Sequence, residues 1–215
     1  MIDTYKHKGM RASLVEEIKK KGIADEAVLM AIGKIPRHLF LDSSFDRFAY
    51  NDVAFPIGSG QTISQPYTVA FQTELLEIKR GKKILEVGTG SGYQACVLAE
   101  LGAKVYSIER QRKLYEKTKA FIEKLGYRIN SFYGDGYKGL PTYGPFDNII
   151  VTAGAPEIPK DLLLQLKIGG WMIIPLGGEE GQIMTKITRK GEKVFEKKTY
   201  GKFAFVPMLK NRASD

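Results

Sequence analysis

The chain has 215 residues, 43% of them hydrophobic and 27% charged, and a net charge of +9. These are ordinary values for one domain with a sizeable core, and the absence of any apolar run of membrane-spanning length argues against a membrane protein. The first residues, Met1-Ile2-Asp3-Thr4-Tyr5-Lys6-His7, lack an apolar signal-peptide core, and the single cysteine, Cys96, excludes an internal disulfide, so a cytoplasmic location is expected.

Residues 8–21 read as an amphipathic helix with Met10, Leu14, Val15 and Ile18 on one face, ended by Gly22. Asp25 is placed to cap a second helix from Glu26 to about Lys34. Residues 42–63, rich in aromatics and glycine, read as an irregular stretch long enough to be functional. Ser64 is placed to cap a helix that opens with Pro66 and runs to about Ile78. A strand at 84–88 then passes through Gly88-Thr89-Gly90-Ser91-Gly92 into a helix at 93–101. Strands at 104–109, 130–133, 146–152 and 171–176 follow, separated by helices at 112–125 and 159–166, with Gly169-Gly170 as the turn into the last strand. This alternation predicts an α/β fold with a Rossmann-like, doubly wound and mostly parallel sheet. Residues 182–188 and 193–200 form a hairpin about 189–192, adding an antiparallel pair at the sheet edge, and 203–207 is a last extended piece. Only 1–7 and 210–215 read as loose ends.

Strand, glycine turn and helix together make a site for a nucleoside ligand at the strand's carboxyl end. One register, Gly90 to Ala95, even fits the G-x-G-x-x-A dinucleotide fingerprint. Glu86 tips the balance: a carboxylate beside the turn repels a pyrophosphate and suits a cation such as S-adenosylmethionine, which carries a sulfonium and an ammonium. Glu109 ends the next strand about twenty positions after Gly88, where an acid accepts hydrogen bonds from ribose hydroxyls. Asp135, between two glycines after the third strand, is placed to take the adenine amino group, with the Gly136 N–H on a ring nitrogen; the alternative there is a plain Asp-Gly turn. Upstream, Gln61-Thr62-Ile63-Ser64-Gln65-Pro66 joins the irregular loop to a helix N-terminus, an anion site in which Ser64 either holds a carboxylate, caps the helix, or does both. His7 and His38 lack the cysteine or carboxylate spacing of a metal site, so no metal is expected, and His38 reads as a structural hydrogen-bonder. Cys96 reads as a buried inert thiol. The lysine-rich clusters at 19–21, 79–83 and 186–198 are not interleaved with aromatics and read as solvated surface, which argues against a nucleic-acid partner.

Ile35-Pro36-Arg37-His38-Leu39-Phe40, Gly60 to Pro66, Leu85 to Tyr93, Gly134-Asp135-Gly136, Gln165 to Gly170 and Phe205-Val206-Pro207 together resemble the protein-L-isoaspartate (D-aspartate) O-methyltransferases, over about residues 10–207. The resemblance implies a class I S-adenosylmethionine-dependent methyltransferase with S-adenosylhomocysteine as product. It places the active-site serine on Ser64 and cofactor contacts on Thr62, Ile63, Glu86, Gly88, Gly90, Glu109, Asp135 and Gly136. It also implies that Val206, Pro207 and the 53–60 loop line a peptide cleft. Its substrate would be the free α-carboxylate of L-isoaspartyl residues in damaged proteins, with D-aspartyl residues as a second acceptor. The ester then leaves by succinimide formation and hydrolysis, which needs no enzyme residue. The family often has histidine or methionine after the proline of the serine loop; here Tyr67 stands there. On this reading residues 1–215 are one methyltransferase domain that acts as a monomer. It comprises a helical and substrate-loop extension (1–78), a cofactor-binding core (79–181) and C-terminal strands (182–215).

Three other readings compete. A nucleic-acid methyltransferase fits the charge, and Ser64-Gln65-Pro66-Tyr67 is one residue from a base-holding Ser-Pro-Pro-Tyr loop, but that loop belongs after the fourth strand, which here ends Thr152-Ala153-Gly154. A non-catalytic S-adenosylmethionine- or RNA-binding module has no need of the serine loop. An NAD-dependent oxidoreductase is disfavoured by Glu86.

Overall fold

The computed structural model describes residues 2–178 and 180–213. Helix α1 (Tyr5–Lys20) starts three residues ahead of the expected position because Thr4 and His7 form a reciprocal capping box. Helix α2 (Glu26–Lys34) is capped as expected, with the Asp25 carboxylate accepting from the Ala27 and Val28 N–H groups. After a 3₁₀ turn at Arg37–Phe40, the stretch expected to be irregular has local order: a 3₁₀ turn at Ser43–Phe48, then a short hairpin of β1 (Phe55–Gly58) and β2 (Gln61–Ile63). The hairpin escaped the sequence reading because each strand has four residues or fewer, too short to show alternation. Helix α3 (Pro66–Leu75) opens on the proline as expected and ends short of Ile78.

Strand β3 (Lys83–Val87), helix α4 (Tyr93–Glu100), β4 (Lys104–Glu109), α5 (Arg112–Lys124), β5 (Asn130–Tyr133) and β6 (Phe146–Val151) follow the expected alternation. After the short α6 (Lys160–Leu164), β7 (Leu166–Leu176) begins five residues earlier than expected. Gly169-Gly170 is therefore an irregularity inside a strand and not a turn before it; a side chain on Gly170 would lie 2.4 Å from the Asp147 carbonyl oxygen of β6. Strands β8 (Gln182–Arg189) and β9 (Phe195–Phe203) complete a seven-stranded sheet in the order β5-β4-β3-β6-β7-β8-β9. The first five of these are mutually parallel, and β7-β8-β9 are antiparallel, as the sequence led one to expect.

The sheet is covered on both faces. Leu85, Val87, Ile149, Val151, Met172 and Leu162 pack on one side; Ile84, Ile150, Ile173, Ala95 and Leu98 pack on the other. A third cluster joins α1, α2 and α3 to Tyr93 and Val97 of α4. Strand alternation puts Glu86 on the same face as Ile84, inside the protein. Chain order reverses between β3 and β6, and open α/β sheets bind ligands at that reversal, outside the strands' carboxyl ends. The ends expected to be loose are partly tied: residues 5–7 are helical, and the Ala213 N–H bonds the Arg110 carbonyl. Met1, Ser214 and Asp215 lie outside the described residues. Among the described residues no helix is long and apolar enough to cross a membrane.

Candidate active site

The glycine turn sits at the reversal point. Gly88 has φ +99°, and a Cβ there would lie 2.6 Å from Thr152 Oγ1, whose hydroxyl donates to the Gly88 carbonyl. Gly92, with φ +85°, would put a Cβ 2.6 Å from Ile122 of α5. Both glycines are thus required by protein neighbours as well as by any ligand. The β1–β2 hairpin lies over the turn, with Ile57 Cδ1 3.6 Å from the point where a Gly90 Cβ would stand.

Glu109 anchors the turn from β4. Its two carboxylate oxygens accept one backbone N–H each, from Gly90 (2.9 Å) and Gln111 (2.8 Å), which leaves each oxygen a lone pair. Glu86 is not beside the turn but fully buried beneath it. One of its oxygens accepts from Ser107 Oγ, which also bonds Thr89 Oγ1 at 2.6 Å; the other, Oε1, has no partner. Burial pushes this carboxyl up to about 8, against the Ser107 hydrogen bond and with help from the Glu109 charge. Asp135 uses Oδ1 to accept from the Tyr137 N–H, the Asx-type turn that was the alternative for it. Gly136 lies against the end of β3, where a Cβ would meet Val87 at 2.6 Å and Met208 at 3.6 Å.

Ser64 does not cap α3. The helix has no local side-chain cap, and the Tyr67 N–H is taken instead by Asp52 Oδ1 at 2.7 Å, from fifteen residues upstream. Asp52 Oδ2 also accepts from Gln65 Nε2 (2.9 Å) and Lys21 Nζ (2.6 Å). The Ser64 carbonyl accepts from Arg37 Nη2 at 2.9 Å. Arg37 is fully buried and also donates to the Ala49 and Val53 carbonyls, and its guanidinium lies 5.0 Å from the Tyr93 ring centroid. Burial lowers its pKa to about 10, which leaves it a cation at neutral pH. The Ser64 backbone is therefore held on both sides, while its hydroxyl bonds no described residue.

Two cavities meet at Ser64. A small one of about 50 Å³ lies under the hairpin, lined by Thr62, Ile63, Ser64, Gly88, Gly90, Glu109 and Val206 among others. A larger one of about 640 Å³ is lined by Ser64, Tyr67, Lys202, Phe203, Phe205 and Val206, among others. Thr62, Ser64, Thr152 and Val206 belong to both walls. Seven of the residues expected at the site thus share one cavity wall. Glu86, Asp135 and Gly136 stand outside it, and so does Pro207, which pairs with Gly154 in an isolated bridge. Of the 53–60 loop, Ala54 lines the larger cavity, whereas Pro56, Ile57 and Gly58 line a different one with Leu39 and Lys117. The loop was assigned to a single cleft because a linear stretch does not reveal that a hairpin turns its two edges to different cavities.

Thr152, Lys202 and Phe203, which line these cavities, and Asp52, which holds the turn behind Ser64, are residues that the sequence reading missed. Only Thr152 carried a signal, at the end of the strand beside the glycine turn. His38 is structural as expected, with Nδ1 2.7 Å from the Tyr50 hydroxyl. The fold does bring Asp3 to within 4.8 Å of His7 and His38, but the two rings stack at 3.8 Å and 18°, so their lone pairs lie in nearly parallel planes and do not converge on an ion. Arg11 occupies both Asp3 oxygens. Cys96 is fully buried, and burial pushes its thiol upward, away from thiolate chemistry.

Arg37→Met removes the donors to three carbonyls, one of them fully buried, and is expected to cost about 2–3 kcal/mol, net of the desolvation it relieves. Thermal unfolding should show a fall of roughly 5–10 °C, with Arg37→Lys in between.

These features fit a cationic nucleoside cofactor: a buried carboxyl oxygen without a partner beneath the turn, a second acid with free lone pairs above it, and glycine positions that admit no side chain. Comparison with known proteins agrees. The family model for protein-L-isoaspartate(D-aspartate) O-methyltransferase matches residues 9–213. A protein-L-isoaspartate O-methyltransferase from Christiangramia forsetii is 65% identical over 213 residues, covering 99% of this chain and 100% of its own. A solved protein-L-isoaspartate O-methyltransferase superposes with a TM-score of 0.83 at 31% identity, over 92% of this chain and 65% of that longer one. A Plasmodium falciparum structure of the same name, in complex with S-adenosyl-L-homocysteine, gives 0.81 at 27% identity over 94% of this chain and 99% of that one. Motifs, sheet order, the serine turn and these matches lead to one conclusion: the chain belongs to the protein-L-isoaspartate (D-aspartate) O-methyltransferase family.

Proposed function

We propose that the protein is a repair enzyme that methylates the free α-carboxylate of L-isoaspartyl residues in damaged peptides and proteins, using S-adenosylmethionine. The observation that carries this reading is Ser64, a residue of the wall shared by the small cavity under the glycine turn and the larger cleft, whose hydroxyl bonds no described residue. When bound, S-adenosylmethionine supplies a methyl group activated by its sulfonium. Glu109, Gly88, Gly90, Thr62 and Ile63 would hold the nucleoside, with Glu86 beneath the turn as the acid facing its cationic end and Asp135 and Gly136 toward its base. In the cleft the chain has little proton chemistry to do. An isoaspartyl carboxylate is already ionised at neutral pH, so no base is required. Ser64 donates its hydroxyl hydrogen to one carboxylate oxygen and so orients the other toward the small cavity. Val206 and Phe205 are apolar walls that keep water from the carboxylate, with Pro207 extending the peptide surface beyond them.

The assay that tests this uses labelled S-adenosylmethionine and matched peptides bearing Asp or isoaspartate. Base-labile label confined to the isoaspartyl peptide is the expected result; transfer to RNA or DNA, or none, overturns it. A D-aspartyl peptide in the same assay reports on the second acceptor. The reading takes residues 1–215 as one domain with the three parts given above, acting as a cytoplasmic monomer without a metal, membrane or nucleic-acid partner. The reduced, buried Cys96 supports that compartment. Light scattering at 24.0 kDa checks the monomer.

A further inference from the structure

We infer that Asp52 is a positioning residue for the reaction: by taking over the N-terminus of α3 it leaves the Ser64 hydroxyl free for the substrate carboxylate. The inference rests on the role of Ser64 proposed above.

A serine just ahead of a helix can satisfy one of its open N–H groups with its own oxygen. Ser64 lies three residues ahead of Tyr67, one place outside the N-cap residue Gln65, and Pro66 has no N–H, so the Tyr67 N–H is the first open donor at this helix end. A Ser64 oxygen used in this way would face the helix and not the cleft. Asp52 removes the competition. Its Oδ1 accepts the Tyr67 N–H at 2.7 Å, and a carboxylate is the stronger acceptor. Its side chain is only 3% exposed, so water does not dilute the bond. Oδ2 is held by Gln65 and Lys21, so the carboxylate has little freedom to turn away. From the other side, Arg37 fixes the Ser64 carbonyl. Asp52 reaches neither cavity wall, so it acts through the serine turn and not on the substrate.

The test is a double-mutant cycle read in two ways, by turnover and by melting temperature, with the cofactor dissociation constant measured by calorimetry. Asp52→Ala should lower kcat by about 10²-fold, the same loss as Ser64→Ala alone, while cofactor affinity stays within about twofold. Adding Ser64→Ala to Asp52→Ala should cost no further turnover, because the serine has already turned to the helix. In the wild-type background Ser64→Ala should leave the melting temperature unchanged; in the Asp52→Ala background it should lower it by about 2–4 °C, because there the serine is the cap. Asp52→Asn keeps an acceptor for Tyr67 and guards against a variant that fails to fold: it should retain at least about half of kcat, and a loss as large as that of Asp52→Ala overturns the inference. Full turnover in Asp52→Ala, additive turnover losses, or the same Ser64→Ala melting shift in both backgrounds also overturn it. Unchanged turnover for Ser64→Ala alone rejects the role of Ser64 instead, and the melting cycle still decides whether Asp52 displaces it from the helix.

Discussion

Ser64→Ala is expected to lower kcat on isoaspartyl peptides by about 10²-fold with little change in cofactor binding. The magnitude is that of removing one well-placed hydrogen-bond donor from a reacting oxygen. The separation from cofactor affinity follows from the geometry. The Ser64 hydroxyl makes no bond to the glycine turn, and the nucleoside end of the site is built from Glu109 and the backbone of β3 and its turn. Stability should not move either, since the hydroxyl bonds no described residue and its loss leaves no partner unsatisfied. Initial rates over peptide concentration, together with calorimetric titration of the cofactor, check the claim. Equal losses of turnover and cofactor affinity would make Ser64 part of the nucleoside site.

The second large effect concerns Glu86 and pH. Its carboxyl is pushed up to about 8 by burial, from 4.5 in an exposed chain. Between those values the folded protein holds a proton that the unfolded chain has released, so this group makes stability fall as pH rises from about 4.5 to about 8. Above that range its contribution is flat. Glu86→Gln removes the titration but keeps the shape. The variant's stability relative to the wild type, both without cofactor, should therefore rise by on the order of 3–4 kcal/mol from pH 5 to pH 8.5, a relative gain of about 10 °C in melting temperature. Any fixed cost of the amide at that site drops out of the pH difference. A gap that stays constant over this range would show that Glu86 titrates no differently in the fold.

Much of the core was legible from short-range pattern. Strand-length runs alternating with helix formers predicted β3 to β7 and the helices between them, and two strand-length runs joined at 189–192 predicted the antiparallel β8–β9 pair. Glu109 and the glycines were legible because each must stand at a set distance from a strand end. The shortest features were not. The β1–β2 hairpin, the start of α1 at Tyr5 behind its Thr4 cap and the early start of β7 depend on single caps and pairings that leave no period in the sequence.

Sequence by itself determined the order of elements and the places of the glycine turn and the serine turn, because these follow from local propensity and from side chains fixed relative to their own strand or helix. Tertiary structure alone decided what those residues are free to do. Glu86 is beneath the turn and not beside it because strand alternation turns it into a closed core, where burial governs its charge. Ser64 is free and not a cap because Asp52, which the β1–β2 hairpin between them brings back to the helix, takes the Tyr67 N–H. Both outcomes depend on which groups from other elements compete for the same hydrogen bonds and the same water, and that competition exists only once the chain has folded.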